Sequence, residues 1–373
     1  MAATDPQQNA PRTRQTPLLI YGAYGYTGQL IVEECLARGW RPVLAGRDAG
    51  RLAAVAEPHN LPHVAFGLGD RATLDATLQH TTAVLHCAGP FIHTAQRMLE
   101  GCLRTGTHYL DITGEIQVFE ALAGQSDLAE EAGIMVLPGV GFDVVPTDCM
   151  AQWLKQQQPR ATQLELAFEG FGGVSQGTAH TAIEQAGDGG AVRREGYIQR
   201  VPPAHQTRQV DFGDGAVTVA SIPWGDVATA YYSTGIPNIT TYARLPQQTI
   251  RAMKGLRWAA PLARQRPVKR LLHWWVDRQP AGPDQETRTG GRTRVWGCAT
   301  ADDGTFAEGL LYGPEGYAFT AAAATEAAGR TLDGAGSPGF QTPATAFGAD
   351  LVLSVPGVER FLVSAPPKPA YQS

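Results

Sequence analysis

The chain has 373 residues, which exceeds one typical hydrophobic core and suits two. Hydrophobic residues make up 43% and charged residues 17%, a composition that is globular rather than disordered or fibrous. The formal net charge of −5 leaves no basic excess, and this argues against nucleic acid as a partner.

The first residues and the apolar runs bear on location. Residues 1–16 are polar and lack the apolar stretch of a secretory signal, so they predict a disordered tail. No uncharged apolar run reaches the roughly 18 residues that a membrane-spanning helix needs. The expected location is cytoplasmic.

The cysteine and histidine patterns predict no disulfide framework and no metal site. The five cysteines are Cys35, Cys87, Cys102, Cys149 and Cys298. Their number is odd and none forms a Cys-x-x-Cys pair. His59 and His63 stand four residues apart, but the prolines around them predict a loop rather than a ligand-bearing helix face.

Six short apolar runs alternate with helical patterns between residues 18 and 137. The runs predict strands at 18–21, 41–45, 64–68, 83–88, 108–112 and 134–137. The segments between them predict helices at 27–38, 51–57, 72–79, 94–104 and 118–132. Strict alternation with fully apolar strands is typical of a parallel sheet covered on both faces. The predicted fold class is α/β, with a Rossmann-type doubly wound sheet at residues 17–149.

The pattern changes after Pro146 and predicts a second, α+β domain at residues 150–315. The expected elements there are a helix at 147–157, a strand at 163–168, a strand pair within 210–222 and a hairpin turning at Asp302-Asp303-Gly304. Further helices are predicted at 317–328 and 344–353.

A glycine loop joins the first predicted strand to the first predicted helix. Its candidate cofactor-binding residues are Gly22, Tyr24, Gly25, Tyr26, Thr27 and Gly28. The spacing is Gly-x-x-Gly-x-x-Gly rather than the simplest fingerprint, but glycine serves the same purpose: a tight turn and close approach of a pyrophosphate to a helix N-terminus. Three glycines can also make only a sharp turn. Their place in a six-strand alternation favours dinucleotide binding.

Arg47, at the end of the second predicted strand, indicates NADP(H). NAD-specific domains place an acid there to bind the ribose 2′-hydroxyl, whereas an arginine fork matches a 2′-phosphate. Asp48 follows directly, so some use of NAD stays open, and Arg47 can also be only a solvated cation.

Two further segments are candidates for the cofactor site. Asp70 follows the third strand, where it can contact the adenine or cap the next helix, and the sequence favours neither role over the other. The residues after the fourth strand are Cys87, Ala88, Gly89, Pro90 and Phe91. Small side chains there let a dinucleotide cross the strand ends, and Phe91 is placed to pack near the nicotinamide.

Short motifs in consistent order resemble those of the saccharopine dehydrogenase-like oxidoreductases, and within them the trans-acting enoyl reductase branch. They are the glycine loop, Ala45-Gly46-Arg47, the Cys87–Phe91 run, Tyr109-Leu110-Asp111-Ile112-Thr113-Gly114-Glu115, Gly139-Val140-Gly141-Phe142-Asp143-Val144-Val145-Pro146-Thr147-Asp148, Ser175-Gln176-Gly177-Thr178, Gln341-Thr342-Pro343-Ala344 and Gly348.

This resemblance implies an NAD(P)-dependent reductase whose last segment, 316–373, returns as helices to the first domain. Members of the family act on imines formed from amino acids or on enoyl thioesters held by carrier proteins. The resemblance therefore implies the cofactor more firmly than the reaction. At family level it also implies a homodimer.

Three acids follow the fifth and sixth strands, where substrate and nicotinamide meet. Asp111, Glu115 and Asp143 can each position a substrate or relay a proton, and each can equally cap a helix or anchor a loop. His180 follows Ser175-Gln176-Gly177-Thr178 and is expected just before a helix, as a proton donor or as a simple hydrogen-bonding residue.

A basic stretch at 251–270 predicts either an amphipathic helix pair with solvated cations or a docking surface for an acyl carrier protein or a membrane. Its cations are Arg251, Lys254, Arg257, Arg264, Arg266, Lys269 and Arg270.

The leading prediction is an NADPH-dependent reductase of a C=C or C=N bond, with a small-molecule or carrier-bound substrate. The resemblance favours enoyl reduction. No tyrosine is followed four residues later by lysine, which argues against a classical short-chain dehydrogenase. The alternatives are a saccharopine-type amino acid dehydrogenase and a non-catalytic NADP(H) sensor.

Overall fold

The structure is a computed structural model that describes residues 17–170, 173–185, 187–255 and 265–364. The predicted disordered tail at 1–16 lies outside these ranges. So do residues 256–264 of the basic stretch, with Arg257 and Arg264, and the last part of the predicted C-terminal segment, 365–373.

The first sheet is parallel and contains the six strands predicted from the apolar runs. They are β1 Leu18–Tyr21, β2 Val43–Gly46, β3 His63–Ala65, β4 Ala83–His86, β5 His108–Asp111 and β6 Met135–Leu137. A seventh strand, β15 Gly339–Phe340, extends the edge, and the spatial order is β15-β6-β5-β4-β1-β2-β3. This order, with helices between successive strands, confirms the Rossmann-type doubly wound class.

Helices cover both faces of this sheet. They are α1 Tyr26–Ala37, α2 Ala49–Ala56, α3 Arg71–Leu78, α4 Ala95–Thr105, α5 Ile116–Ala123 and α6 Ser126–Glu131. Successive residues of β1 point to opposite faces, so Ile20 packs with Ile31 in one core while Leu19 packs with Leu74 in the other. The strands are apolar on both sides because both sides are buried.

The register of the central strands determines where the site lies. Tyr21 of β1 stands level with Ala45 of β2 and His86 of β4. The strands are parallel, so the glycine loop, the Arg47 turn and the Cys87 turn leave the sheet at the same edge. The fold thus gathers segments that are far apart in sequence.

The second domain is built on a mixed sheet. Its described strands are β7 Ala161–Glu169, β8 Gly190–Arg194, β9 Tyr197–Val201, β10 Thr207–Asp211, β11 Ala216–Ser221, β12 Asn238–Ala243, β13 Arg292–Ala301, β14 Phe306–Pro314 and β16 Glu359–Ser364. The order is β10-β11-β12-β7-β13-β14-β16, with the β8–β9 hairpin attached to β12. Both the strand pair and the hairpin predicted from the turn residues are present.

The remaining helices pack on the second sheet or between the two sheets. They are α7 Val145–Gln157, α8 Gln176–Gln185, α9 Asp226–Thr234, α10 Gln247–Gly255, α11 Arg266–Val276, α12 Gln285–Gly290, α13 Gly316–Leu332 and α14 Pro343–Phe347. Among the described residues, no helix is long and apolar enough to cross a membrane.

The segment after residue 316 joins both sheets. Helix α13 packs on α1, where Thr325 Oγ1 lies 3.9 Å from Cys35 Sγ and Glu326 pairs with Arg38 at 3.0 Å. β15 extends the first sheet, but β16 pairs with β14 of the second. The expectation that 316–373 consists of helices is therefore wrong at 359–364. Helix α7 runs across residue 149, where the first domain was predicted to end. The predicted domain boundaries therefore stay a prediction.

Two predicted helices differ from the structure for local reasons. The helix expected at 118–132 is two helices, since α5 ends at Gly124, a poor helix former. The helix expected at 344–353 ends at Phe347, because Gly348 takes φ +81° and only a 3₁₀ turn, Leu351–Ser354, follows. Both errors come from apolar spacing that continues past a glycine.

Candidate functional site

The glycine loop turns too tightly for any other residue at two of its positions. Gly22 has φ +87°, and a Cβ there would lie 2.9 Å from the Ala88 nitrogen. A Cβ on Gly28 would lie 2.4 Å from the Gly22 carbonyl oxygen. The first α1 hydrogen bond after the cap runs from the Gln29 nitrogen to the Gly25 oxygen at 2.9 Å, so the N–H groups of the preceding turn point out of the helix end. This cradle fits a pyrophosphate.

The Arg47 turn places two arginines and an aromatic ring beside the loop. The Tyr24 ring covers Gly46, and the Arg51 guanidinium lies 4.6 Å from its centroid. Arg47 is exposed. Asp48 caps α2 by accepting the Arg51 N–H at 3.0 Å, so this carboxylate faces the helix end. Arg51 was missed in the sequence, although it stands one helical turn beyond Arg47.

Asp70 caps α3 in the structure, one of the two roles weighed for it. Its carboxylate accepts the Thr73 N–H at 3.2 Å and the Thr73 hydroxyl at 2.7 Å. These hydrogen bonds lower the pKa of Asp70. An adenine contact for Asp70 stays a prediction.

Glu115 holds the turn after β4 in place. Its two carboxylate oxygens accept the N–H groups of Phe91 at 2.7 Å and Ile92 at 2.9 Å. The side chain is buried, which raises its pKa, while the two N–H groups act in the opposite direction. The turn includes a cis Gly89-Pro90 peptide. Glu115 is therefore a positioning residue in this structure.

Asp111 holds the turns after β5 and β6, at the same edge of the first sheet as the turn held by Glu115. Its carboxylate accepts hydrogen bonds from the Tyr109 hydroxyl at 2.5 Å, the Thr113 N–H at 2.9 Å and the Gly139 N–H at 2.9 Å. Burial raises its pKa to about 6, and these donors favour the ionised form. With three donors bound, Asp111 connects the turns after β5 and β6.

Asp143 differs from both of these acids. No group in the described part of the chain donates a hydrogen bond to its carboxyl, which faces a small cleft. Burial, with a smaller contribution from the charge of Glu115, raises its pKa to about 7. The cleft, of about 60 Å³, is lined by Thr27, Ile112, Phe142, Asp143, Thr178, Gly316, Tyr317 and Thr320. A partly protonated acid thus lies beside the start of α1.

Tyr317 lines the cleft, and Tyr26 packs against Tyr317 from the start of α1. Their rings meet edge to face with centroids 5.0 Å apart. The Tyr317 hydroxyl accepts the Ser175 N–H at 2.6 Å and lies 3.1 Å from the Thr178 hydroxyl. The Tyr26 hydroxyl donates to the Pro283 oxygen at 2.6 Å, so the first residue of α1 contacts the second domain. Tyr317 was missed because nothing in its neighbourhood marks it.

His180 lies inside α8 rather than before a helix, and it is not among the residues that line the cleft. Its Nδ1 is 2.6 Å from Nδ1 of His273, and its Nε2 is 3.1 Å from Asp277. His273 Nε2 lies 3.0 Å from a carboxylate oxygen of Glu184, and Lys269 Nζ donates to the other oxygen of the same carboxylate at 2.9 Å. This chain of side chains joins α8 to α11. The structure does not bring His180 together with Asp111, Glu115 and Asp143.

A larger pocket, of about 220 Å³, adjoins the turn held by Glu115. Its apolar walls include Ile92, Ile116 and Ile198, and Arg200 and Glu184 also line it. Apolar walls with a few charged groups are the usual lining of a small-molecule site.

Residues 18–137 match the model of the family described as the saccharopine dehydrogenase NADP binding domain. A saccharopine dehydrogenase-like oxidoreductase from Rattus norvegicus is 26% identical over 220 residues, covering 51% of each chain. A trans-acting enoyl reductase from Mycobacterium leprae (strain TN) is 30% identical over 147 residues, covering 37% of this chain and 35% of the relative. The chain spans about half the length, or less, of these curated relatives.

Two solved structures share the fold over nearly the whole chain. Apo saccharopine dehydrogenase (L-Glu forming) from Saccharomyces cerevisiae superposes with a TM-score of 0.62 at 12% identity, covering 93% of this chain and 99% of the other. Homospermidine synthase from Legionella pneumophila in complex with NAD gives 0.64 at 9% identity, covering 96% and 94%. At such identities the likeness shows the fold alone.

These matches, together with the glycine cradle, identify residues 18–137 as a nicotinamide dinucleotide-binding domain of the saccharopine dehydrogenase type. The resemblance and the cofactor class expected from the sequence are thereby confirmed. The roles of the individual residues stay predictions.

Proposed function

We propose that this protein is an NADPH-dependent oxidoreductase that reduces a C=C or C=N bond, with Asp143 as proton donor. The observation that carries the proposal is the half-buried Asp143 carboxyl, which has no hydrogen bond from the described residues and lines the cleft beside the glycine loop. The bound nicotinamide would supply hydride. The similarity to saccharopine dehydrogenase-like oxidoreductases and to trans-acting enoyl reductases supports the reaction class.

The residues around Gly46 support NADPH over NADH. Arg47 and Arg51 offer two cations at the point where the 2′-phosphate is expected, and the Tyr24 ring offers a flat surface for the adenine. Asp48, the acid that would favour the 2′-hydroxyl of NAD, caps α2 instead. The turn thus offers two cations to the ribose, while one oxygen of the Asp48 carboxylate is engaged at the end of α2.

Asp143 has the properties that a general acid needs. A pKa of about 7 leaves it partly protonated at neutral pH, and no other group in the described structure competes for its proton. A reacting carbon or nitrogen reduced by hydride must gain a proton, and Asp143 can donate it in the cleft. Tyr317 and Thr178, which share the cleft, would orient the substrate.

The pocket beside Glu115 is the proposed place for the rest of the substrate. Its isoleucine walls suit an alkyl or acyl chain, and its charged lining is mixed, with Arg200 lying 3.9 Å from Asp188 and with Glu115 and Glu184 nearby. An enoyl thioester, free or attached to a carrier protein, fits this combination. A saccharopine-type substrate would need a carboxylate clamp, and this pocket offers one arginine.

The cleft must open before a dinucleotide enters. Its volume of about 60 Å³ is well below the roughly 300 Å³ of a small ligand site. Beside the cleft, the second domain holds the Tyr26 hydroxyl, which donates to the Pro283 oxygen at 2.6 Å and accepts a hydrogen bond from Arg288 at 3.0 Å. We therefore propose that residues 281–290 separate from the glycine loop when the cofactor binds.

A fluorescence titration with NADPH and NADH tests the cofactor assignment. The wild type should bind NADPH more tightly, and Arg47→Ala should remove roughly 1.5–3 kcal/mol of that preference, the size of a charge-assisted hydrogen bond. Arg97→Ala, an exposed arginine on α4, is the matched control and should change nothing. Equal binding of both nucleotides by the wild type would overturn the NADPH assignment.

Transfer of deuterium from stereospecifically labelled NADPH tests the reaction. The acceptors are an enoyl thioester, the same thioester on an acyl carrier protein, and a cyclic imine. Transfer from one face of the nicotinamide to any of them supports an oxidoreductase. Tight NADPH binding without transfer to any of the three favours the sensor alternative.

A further inference from the structure

Helix α11 presents an apolar face to solvent. Leu271 is 64% exposed, Trp274 52% and Trp275 56%. At 3.6 residues per turn these three side chains share one side of the helix with Arg278, just beyond its end. Two adjacent exposed tryptophans are uncommon on a soluble surface, and they need an explanation.

The opposite side of α11 is attached to the second domain. Lys269 and His273 bond to Glu184 of α8, and Val276 is buried. These contacts determine the rotation of the helix about its axis. The tryptophan face is therefore directed away from the protein by the packing.

The exposed face is basic as well as apolar. Arg270 flanks it, and the Arg278 guanidinium lies 3.6 Å from the Trp274 ring centroid. Residues 266–276 contain no acid, although the whole chain carries a net charge of −5. A basic helix with tryptophan and leucine on its free side is typical of helices that lie in a membrane interface.

The size of the face distinguishes a bilayer from a protein partner. Eleven residues form a helix about 16 Å long, and with a helix diameter of roughly 10–12 Å one side of it covers on the order of 200 Å². A stable protein interface needs roughly 800 Å² from each partner. A bilayer needs only a few anchoring side chains, because indole rings settle at the headgroup level and arginines meet anionic phosphates.

We propose that the outer face of α11, formed by Arg270, Leu271, Trp274, Trp275 and Arg278, docks on an anionic lipid bilayer. This surface lies beyond most of the basic stretch noted in the sequence. It adjoins the proposed site through α8, which carries Thr178 in the cleft and Glu184 at the larger pocket. The docking does not depend on the reaction proposed above.

Flotation with lipid vesicles tests the docking on the full chain. The vesicles contain either phosphatidylcholine alone or equal parts of phosphatidylcholine and phosphatidylglycerol. The wild type should float with the anionic vesicles and stay behind with the neutral ones. Trp274→Ala with Trp275→Ala, and separately Arg270→Glu with Arg278→Glu, should each reduce the bound fraction roughly tenfold or more.

Two controls distinguish docking through this face from nonspecific adsorption to vesicles and from misfolding. Tyr197→Ala with Phe306→Ala removes exposed aromatic rings elsewhere in the second domain and should leave flotation unchanged. Far-ultraviolet circular dichroism should match the wild type for every variant. A wild type that does not float, or a double tryptophan variant that floats equally, overturns the proposal.

Two further experiments test other binding partners for this face, and the first is sedimentation velocity without lipid. A dimer of the wild type that the double tryptophan variant abolishes, without vesicle binding, would assign this face to a second copy of the chain. Binding of an acidic acyl carrier protein in place of anionic vesicles would assign it to a protein partner. Either result would also overturn the membrane proposal.

Discussion

The two acids behind the cleft are buried and the acid inside it is half-buried, and the two kinds differ in their hydrogen bonds. Asp111 accepts three hydrogen bonds and Glu115 accepts two, each from N–H or O–H groups of the turns they hold. Asp143 accepts none from the described residues. Burial raises the pKa of all three. Only Asp143 can change its protonation without breaking a turn.

This contrast shows that burial and a raised pKa do not by themselves mark a catalytic acid. A carboxylate bound by several donors belongs to the framework, since its proton would displace those donors. An unbonded carboxyl facing a cleft can exchange its proton with a substrate. Substitutions on the two sides of this comparison should therefore have different effects.

The largest effect is expected from Asp143→Asn. It removes the proton donor, so kcat should fall about 10²- to 10⁴-fold, the usual contribution of a general acid. Steady-state kinetics measures the fall, and circular dichroism checks that the fold is retained. A variant with wild-type kcat would place the proton donor elsewhere.

The pH dependence of the activity also distinguishes Asp143 from Glu115. The raised pKa of about 7 means that Asp143 is protonated below pH 7 and ionised above it. Activity that depends on the acid should therefore decline as the pH rises through about 7. Asp143→Asn should lose this decline, whereas Glu115→Gln should keep it.

Glu115→Gln should act on the framework. One amide oxygen replaces two carboxylate oxygens, so either the Phe91 or the Ile92 N–H loses its partner, at a cost of about 1.5–3 kcal/mol. Denaturant unfolding measures this loss of stability. Glu100→Gln, an exposed acid on α4, is the control and should cost far less. An unchanged stability would mean that the turn does not need Glu115.

Gly28→Ala should weaken dinucleotide binding by about 1–3 kcal/mol, because the new Cβ would lie 2.4 Å from the Gly22 oxygen and force the loop to shift. NADPH titration measures this change. Gly50→Ala is the control, since a Cβ there has its nearest neighbour at 3.6 Å. Equal affinities for the two variants would show that the loop does not approach the cofactor.

The smallest effect is expected from Tyr317→Phe. The ring that meets Tyr26 is retained, and only the hydrogen bonds to Ser175 and Thr178 are lost, at about 0.5–1.5 kcal/mol. We expect a modest rise in KM with nearly unchanged kcat. A fall in kcat as large as that of Asp143→Asn would make Tyr317 a catalytic residue.

Much of the first domain could be predicted because its rules are local. A strand buried on both faces is a short apolar run, and a glycine with positive φ marks a turn, so β1 and the glycine loop followed from residues 18–28. The second domain gave weaker signals. Its strands β8, β9 and β12 contain polar residues and were not found, since the stability of such strands depends on the neighbours they pair with.

The sequence by itself determined the parallel sheet, the dinucleotide loop and the positions of the acids after the strands, because the alternation of strands and helices and the spacing of glycines are local features of the chain. Only the tertiary structure decided which acid is free, since that depends on donors from other turns: Gly139 for Asp111, and Phe91 and Ile92 for Glu115. It also brought Tyr317 to the cleft and turned the tryptophans of α11 outward. These outcomes follow from packing between segments far apart in the chain.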